Sequence, residues 1–264
     1  MSNLPPTFDR PSSDPVREGL PPTFRMRADS HYVDSLDRFP AKNETVAAAT
    51  SVSSGDQAVA ELTRCLRTLE LSPSLLGQSG SPLANSVTLT LIRAESRRAA
   101  CFLQAVRVMR DDIGACPKRL AIQDVVTRVL QAVEPERCLR NIALKPQLMP
   151  SHSGVHADED LLIGALVSAL LVTFALVDGT DVPVSVSARV NPQGEFSFLV
   201  TQDGINASGA WTAPAPEDAA GQQSGESIVL ITAARRAAEA CGGKMTVTAG
   251  NNGSDIHVAV PTVS

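Results

Sequence analysis

The run from Leu161 to Val177 constrains the fold most, because it holds seventeen residues and no charged side chain. The acidic residues just before it, 158–160, suit the positively polarised start of a helix. A membrane span needs about 20 apolar residues. This run is shorter, contains Gly164, Ser168 and Thr173, and has no Lys or Arg on its flanks. The pattern therefore favours a helix inside a folded domain over a membrane span.

Charge and cysteine usage limit the partners and the compartment. The net charge is -5 at pH 7, so neither nucleic acid nor an anionic membrane is expected as the main partner. The five cysteines are scattered and form no Cys-x-x-Cys pair, which favours reduced thiols over a disulfide framework or a zinc site. Residues 1–50 contain no apolar block typical of a secretion signal. We therefore expect a soluble cytoplasmic protein without a metal site.

Residues 1–52 are rich in Pro, Ser, Asp and Thr, and they cannot bury enough surface to offset their ordering entropy. The unit Leu-Pro-Pro-Thr-Phe occurs at 4–8 and again at 20–24. Paired prolines favour a polyproline II conformation, which suits docking to a partner. A chance repeat in a solvated tail is the alternative, and for residues 25–39 so is folding back on the protein body. The candidate partner-binding residues of this arm are Phe8, Phe24 and Tyr32.

Residues 53–115 are predicted to form a hairpin of two helices. In the first helix, Val59, Leu62, Leu66 and Leu69 follow at gaps of three and four and make one apolar face. The second helix, from about residue 83 to 113, carries a near-heptad apolar stripe that Glu95 interrupts. Such a hairpin packs either within its own chain or with a second copy in a four-helix bundle. For a homodimer, the candidate interface residues are Leu91, Phe102, Val106 and Met109.

Residues 116–264 alternate between helix and strand patterns. A short helix from Ile122 is expected to stop at Pro135. The segment 142–148 suits an edge strand, because Pro146 has no amide hydrogen to donate. Strands are predicted next at 184–190 and 196–200, and two more at 245–249 and 256–260. Between these pairs a helix is predicted over 228–241, with a glycine cap at 242–243. Its apolar face consists of Ile228, Ile231, Ala234, Ala238 and Cys241. This order predicts the α+β class: a helical hairpin followed by a two-layer α/β sandwich, with helices on one face of a mixed sheet.

Three stretches resemble the core of bacterial two-component sensor histidine kinases. They are 157–171, Val200-Thr-Gln-Asp-Gly-Ile-Asn206, and Ala233-Ala-Arg-Arg-Ala-Ala-Glu-Ala-Cys-Gly-Gly243, in this order and spacing. The resemblance implies that 53–115 is the dimerisation and phosphotransfer hairpin. It also implies that 116–264 is an ATP-binding domain of the type shared with gyrase and the Hsp90 chaperone, and that the helix after residue 157 is the first helix of this nucleotide-binding domain.

The residues that perform the family's chemistry are mostly replaced. The family's helix carries asparagines that help hold magnesium against ATP; Ser168 and Val172 stand there, and valine has no oxygen to offer the cation. The family's Asp-x-Gly-x-Gly loop matches Gln202, Gly204 and Asn206, while Asp203 would point to the other face of the strand. A Gly-x-Gly motif, which exposes helix amides to phosphate, is replaced by 228–231, so that Ile228 and Leu230 occupy that space. We therefore expect no nucleotide cofactor.

The phosphoacceptor histidine of the family is missing too. The four histidines are at positions 31, 152, 156 and 257, and none lies on the first hairpin helix. His31 is the one candidate for phosphotransfer, although its segment does not match the family's helix. His152 and His156 are placed in a loop, where they form either a metal pair or solvated side chains, and His257 in the middle of a strand.

These departures lead to three functional hypotheses. The first is a pseudokinase: a non-catalytic, dimeric signalling scaffold that binds a response-regulator receiver domain, a kinase or another kinase-like regulator. The second is a divergent histidine kinase or phosphotransferase of a phosphorelay, which uses His31 as phosphoacceptor or binds ATP in an altered way. The third is a small-molecule sensor that reuses the former nucleotide cavity.

Overall fold

The computed structural model describes residues 54–75, 82–111, 113–149, 153–203, 225–250 and 253–263. Two helices come first: α1 (Ser54–Leu71), followed by a short 3-10 helix (Ser72–Leu75), and α2 (Pro82–Met109). The other described helices are α3 (Ile122–Leu139), α4 (Glu159–Val177) and α5 (Gly225–Ala240). The strands are β1 (Lys118–Ala121), β2 (Leu144–Leu148), β3 (Gly154–Ala157), β4 (Val184–Val190), β5 (Glu195–Asp203), β6 (Lys244–Gly250) and β7 (Gly253–Val263).

The described strands form one mixed sheet in the order β1-β3-β7-β5-β4-β2, with β6 also paired to β7. All pairs are antiparallel except β2 with β4, in which Leu144 lies opposite Val184. Helices α3, α4 and α5 cover one face of the sheet, and α2 packs on α3 and α5. The predicted α+β class is therefore confirmed, with a helical hairpin packed on a two-layer sandwich.

Helix α4 is the centre of this core. Its side chains from Leu161 to Phe174 are buried except at Gly164, which explains why the sequence shows no polar face. Asp158 caps the helix: its carboxylate accepts the amide hydrogen of Leu161 at 3.0 Å and that of Cys116 at 2.9 Å. By length and composition alone α4 could cross a membrane, but 83% of the apolar stretch is buried inside the protein. The structure thus places this run in the core of the described chain.

Three element predictions were wrong in detail. Helix α3 continues through Pro135 to Leu139, because Glu136, one residue later, is held by ion pairs to Arg98 and Arg140. Strands β1 and β3 were missed, since four residues are too few to show alternation, and His156 therefore lies in a strand instead of a loop. On α5 the buried face is made largely of alanines, and Ile228 is 42% exposed.

Other predictions are confirmed by the backbone. Strand β2 lies at the end of the sheet with Pro146 in it, as expected for an edge strand. After α5, Gly242 has φ +72° and serves as the C-terminal cap. Gly243 allows a close approach to the last strand, because a Cβ there would lie 2.3 Å from the carbonyl oxygen of Ala259.

Candidate functional site

The two α4 positions at which the family carries asparagine lie on one face of the helix, four residues apart. Ser168 is 5% exposed and Val172 is 1% exposed. Ser168 lies beside the Cys101 thiol of α2, in a crevice that both residues line. Burial raises the pKa of that thiol to about 11. The side chain that would face magnesium in the family therefore faces a neighbouring helix of the same chain.

Helix α2 also covers the preceding turn of α4. The Nε2 of Gln104 donates to the carbonyl oxygen of Leu161 at 3.2 Å. A Cβ at Gly164 would lie 1.7 Å from Oε1 of Gln104, so the Gln104 side chain rests directly on this glycine. These residues share a crevice with Ser168 and Ala234, and the crevice has no room for a water molecule. Side chains of the hairpin therefore fill the space beside Ser168.

The end of β5 provides the second group of candidate residues. Gln202 faces the helical layer, as the alternation predicts, and is 2% exposed. Its Nε2 donates to Oγ of Ser254 on β7 at 3.1 Å. The backbone of Asp203 pairs with Gly253 in the sheet. Gly204 and Asn206 lie outside the described residues. The amide of Gln202 is thus engaged by its own sheet, at the position where the family's aspartate would accept from adenine.

The start of α5 is the third part of the site, and the structure corrects its prediction. The helix begins at Gly225, so Ile228 and Leu230 lie beyond its first residues instead of at its opening. Leu230 is 1% exposed and belongs to the core. At the actual start, a Cβ on Gly225 would lie 1.4 Å from Nε2 of Gln57, so α1 closes against this end. Space at the helix N-terminus is therefore taken by the hairpin.

An anion of the chain itself also lies at this helix start. Glu226, in the first turn of α5, forms ion pairs with Arg64 and Arg98, both at 3.5 Å. A carboxylate is stabilised at the positive end of a helix dipole, as a phosphate would be. The charge that a nucleotide phosphate would supply in the family is therefore already supplied by Glu226.

Arg98 links the hairpin to the rest of the fold, a role the sequence analysis did not assign. Its guanidinium lies 2.6 Å from Glu136 of α3 and 4.0 Å from Glu95 of its own helix. Burial acts to raise the pKa of Glu136, but Arg98 and Arg140 outweigh it and hold that pKa below its ordinary value. Oε2 of Glu95 is buried without a hydrogen-bond partner among the described residues. The one signal in the sequence was Glu95 interrupting an apolar stripe.

The four predicted dimer-interface residues do not share one environment. Phe102 is 0% exposed within a single chain. Its prediction as an interface residue is therefore wrong, because α2 buries it in the core shared with the sheet domain. Val106 and Met109 are partly buried against the same core, and Leu91 is half-buried. The C-terminal half of α2 thus belongs to the core of the chain.

The described histidines lie on the sheet. His156 is an exposed residue of β3. His257 of β7 forms a hydrogen bond through Nε2 with Oγ of Ser197 at 2.8 Å, beside an open cavity of about 680 Å³ on the outer face of the sheet. Among the described residues, no three His, Cys, Asp or Glu side chains are grouped to hold a metal ion. His31, His152 and the arm residues Phe8, Phe24 and Tyr32 lie outside the described residues.

Solved structures similar to this chain include histidine kinases and a bacterial phosphotransferase. The histidine kinase AdeS of Acinetobacter baumannii is 13% identical with a TM-score of 0.47, and the match covers 77% of this chain and 94% of the kinase. A histidine kinase of Burkholderia phymatum STM815 is 19% identical with a TM-score of 0.45, covering 79% and 98%. A bacterial phosphotransferase is 14% identical with a TM-score of 0.43, covering 80% and 98%. Identities of this size concern the fold alone.

No protein-family model and no curated protein matches the chain. The element order and the sheet with helices on one face are those expected from the sequence resemblance. The likeness to these kinases concerns the arrangement of helices and strands.

Proposed function

We propose that this protein is a non-catalytic, histidine kinase-like signalling scaffold that binds a regulatory partner and acts as a homodimer. The observation that carries the proposal is the closure of the former nucleotide site by the chain's own hairpin. Gln104 lies on Gly164, Cys101 on Ser168 and Gln57 on Gly225. A nucleotide would have to displace two helices before it could contact α4 or α5.

The replaced residues support the same conclusion. Val172 offers no oxygen to magnesium, which requires oxygen ligands. Gln202 is held by Ser254, and Glu226 already provides the anion at the start of α5. The loss of one buried polar contact costs about 1–3 kcal/mol, so three altered elements leave little affinity for Mg-ATP. The same filled crevice argues against a sensor that reuses the former nucleotide cavity.

The exposed apolar side chains of the hairpin support the dimer. Buried residues of α2 begin only at Ala94, and its first turns carry Leu83, Val87 and Leu89, which are 70%, 40% and 46% exposed. On α1, Val59 and Leu66 are 37% and 47% exposed, although both belong to the predicted apolar face. A second copy of the hairpin would cover these side chains in a four-helix bundle. Apart from Val59, these side chains lie in the part of the hairpin next to its loop.

The regulatory partner we propose is a response-regulator receiver domain or another kinase-like regulator, in the cytoplasm. The support is the fold together with the net charge of -5, which does not favour nucleic acid or an anionic membrane surface. The arm residues Phe8, Phe24 and Tyr32 are proposed as contacts to this partner.

The proposal is tested by incubating the full chain with magnesium and ATP labelled at the γ-phosphate. We expect no label on the protein, alone or with added receiver domains. The His31→Ala variant is the matched control. Label that is stable in alkali and absent from His31→Ala would instead establish the alternative of a divergent phosphotransferase.

A further inference from the structure

A groove between α2, α3 and the start of α4 carries an unusual concentration of positive charge. Its cavity is about 240 Å³ and is lined by Arg97 and Arg107 of α2, Arg128 of α3, and Asp160 and Gly164 of α4. We call these residues, with Gln104, the arginine groove. Three guanidinium groups and one carboxylate line this groove, although the net charge of the chain is -5. The local charge therefore has the opposite sign from that of the whole chain.

Helix geometry gathers the donors on one side of α2. Arg97, Gln104 and Arg107 are separated by seven and three residues, so they lie along one face of the helix. Arg97 and Arg107 are about 15 Å apart along the axis, near the two ends of the groove. Arg128 reaches it from α3. The donors thus come from two helices whose relative position is set by the buried pair of Arg98 with Glu136.

Two of these guanidiniums form no direct ion pair in the described part of the chain, although Arg107 lies near enough to Asp158 to help lower the pKa of that carboxyl. Arg128 pairs with Glu159, which also binds Lys118. No ion pair is formed there by Arg97 or by Arg107, and both side chains are exposed. The amide nitrogen of Gln104 is already bound to the carbonyl oxygen of Leu161. The free donors of the groove are therefore the two arginines of α2.

We propose that the arginine groove binds an oxyanion of the phosphate type. Guanidinium groups bind phosphate oxygens through paired, charge-assisted hydrogen bonds, which are stronger than neutral ones. The groove has no aromatic side chain on which a base would stack, so recognition rests on the anion. The ligand is inorganic phosphate or a small molecule that presents a phosphate or diphosphate. This site does not depend on magnesium, and it borders the filled crevice at Ser168, with which it shares Gln104 and Gly164.

The test is a titration of the ¹⁵N-labelled full chain with sodium phosphate at pH 7, followed by two-dimensional NMR at constant ionic strength. A second titration uses inorganic pyrophosphate, which separates a single phosphate from a diphosphate as the preferred ligand. We expect saturable shifts at the amides of Ala100, Gln104 and Gly164. The double variant Arg97→Gln with Arg107→Gln should weaken binding about tenfold or more, since each charged contact is worth roughly a factor of ten.

The matched control is Arg93→Gln with Arg110→Gln, which removes the same charge from exposed positions of α2 and its end outside the groove. It should keep the affinity of the parent within about twofold. Asp160→Asn removes the carboxylate of the groove and should tighten binding. The proposal is overturned if neither anion causes a saturable shift, if both double variants lose binding equally, or if Asp160→Asn abolishes it.

Discussion

Individual residues show how burial sets chemical reactivity in this fold. The sequence predicted reduced, scattered thiols, and in the structure all five cysteines are free. Burial raises the pKa of Cys65 to about 12 and that of Cys101 and of Cys241 to about 11. Cys116 and Cys138 are exposed. Burial and the nearby Glu134 also raise the pKa of Cys138. Since the thiolate must be both formed and accessible to react, exposure is what separates the two groups of cysteines.

We therefore predict that a thiol reagent at pH 8 labels two cysteines per folded chain quickly and the remaining three only after denaturation. The count is measured by absorbance with an aromatic disulfide reagent. Cys116→Ser and Cys138→Ser together should remove the fast phase. A fast phase that persists in this double variant would show that the hairpin leaves Cys65 or Cys101 open to solvent.

His257 gives a prediction for pH. Burial lowers its pKa, and the positive charges of Lys244 and Arg189 lower it further, although Glu195 opposes them. The unfolded chain binds a proton at this histidine below about pH 6.5, while the folded chain does not until the pH is lower. Stability should therefore fall as the pH drops from about 7 toward 5, since the unfolded state then binds more protons.

The check on His257 is urea unfolding of the parent and of His257→Gln across this pH range. We expect the free energy of unfolding to fall less for His257→Gln than for the parent between about pH 7 and pH 5. Equal losses would mean that His257 titrates alike in the folded and unfolded chains.

Some residue environments could be predicted from the sequence and others could not. The burial of Gln202 follows from the alternation of β5, a local property. The exposure of Ile228 does not, because 228–231 are all apolar and periodicity does not select a face. Packing selects it: the small residues Ala233 and Ala237 are buried instead. The contact of Gln104 with Gly164 joins residues 60 positions apart, and no local pattern contains it.

At the scale of elements, the ion pairs of Arg98 hold the hairpin in its position against the other helices. Arg98 and Glu136 have side chains only 11% and 7% exposed, and they join α2 to α3. Arg98 also reaches Glu226 of α5. Pro135 was expected to end α3, yet the helix extends for one more turn that carries Glu136 into this contact. Tertiary packing here outweighs a local helix-breaking preference.

Arg98→Ala should therefore destabilise the protein strongly. It leaves the buried carboxylates of Glu136 and Glu95 without their common partner, and breaking a buried pair costs about 3–5 kcal/mol. The matched control is Arg93→Ala, an exposed position on the same helix, which should change stability by no more than about 0.5 kcal/mol. The measurement is the free energy of unfolding in urea. A loss below roughly 1 kcal/mol for Arg98→Ala, the size typical of surface pairs, would contradict the role of Arg98 as a buried link.

At the scale of the whole molecule, the hairpin has two different halves. The half distant from the loop contributes Phe102 to the core, although Leu103 and Val59 in the same half are exposed. The half near the loop carries exposed Leu66, Leu83 and Val87. The sequence predicted the hairpin, because its periodicity is local. It did not predict which half would remain exposed, because that depends on where the sheet domain packs.

We predict a homodimer at micromolar concentration, with a mass by light scattering of about twice 27.8 kDa. Leu66→Glu with Val87→Glu should produce a folded monomer, because unpaired charges in an apolar interface are strongly disfavoured. Leu139→Glu is the control, since this leucine is 38% exposed but lies on α3, outside the hairpin. A monomeric parent would show that the hairpin packs only within its own chain.

The central claim is that the hairpin of this protein closes the former nucleotide site. Calorimetric titration of the full chain with ATP and magnesium tests it most directly, with ADP as a second ligand. In the Arg97→Gln with Arg107→Gln variant, which removes the two arginines of the arginine groove, the account predicts no saturable heat up to about 1 mM nucleotide, corresponding to a binding free energy weaker than about -4 kcal/mol. Saturable binding with a micromolar dissociation constant would contradict the account, because Mg-ATP would then enter a site that Gln104, Gln57 and Glu226 are described as filling.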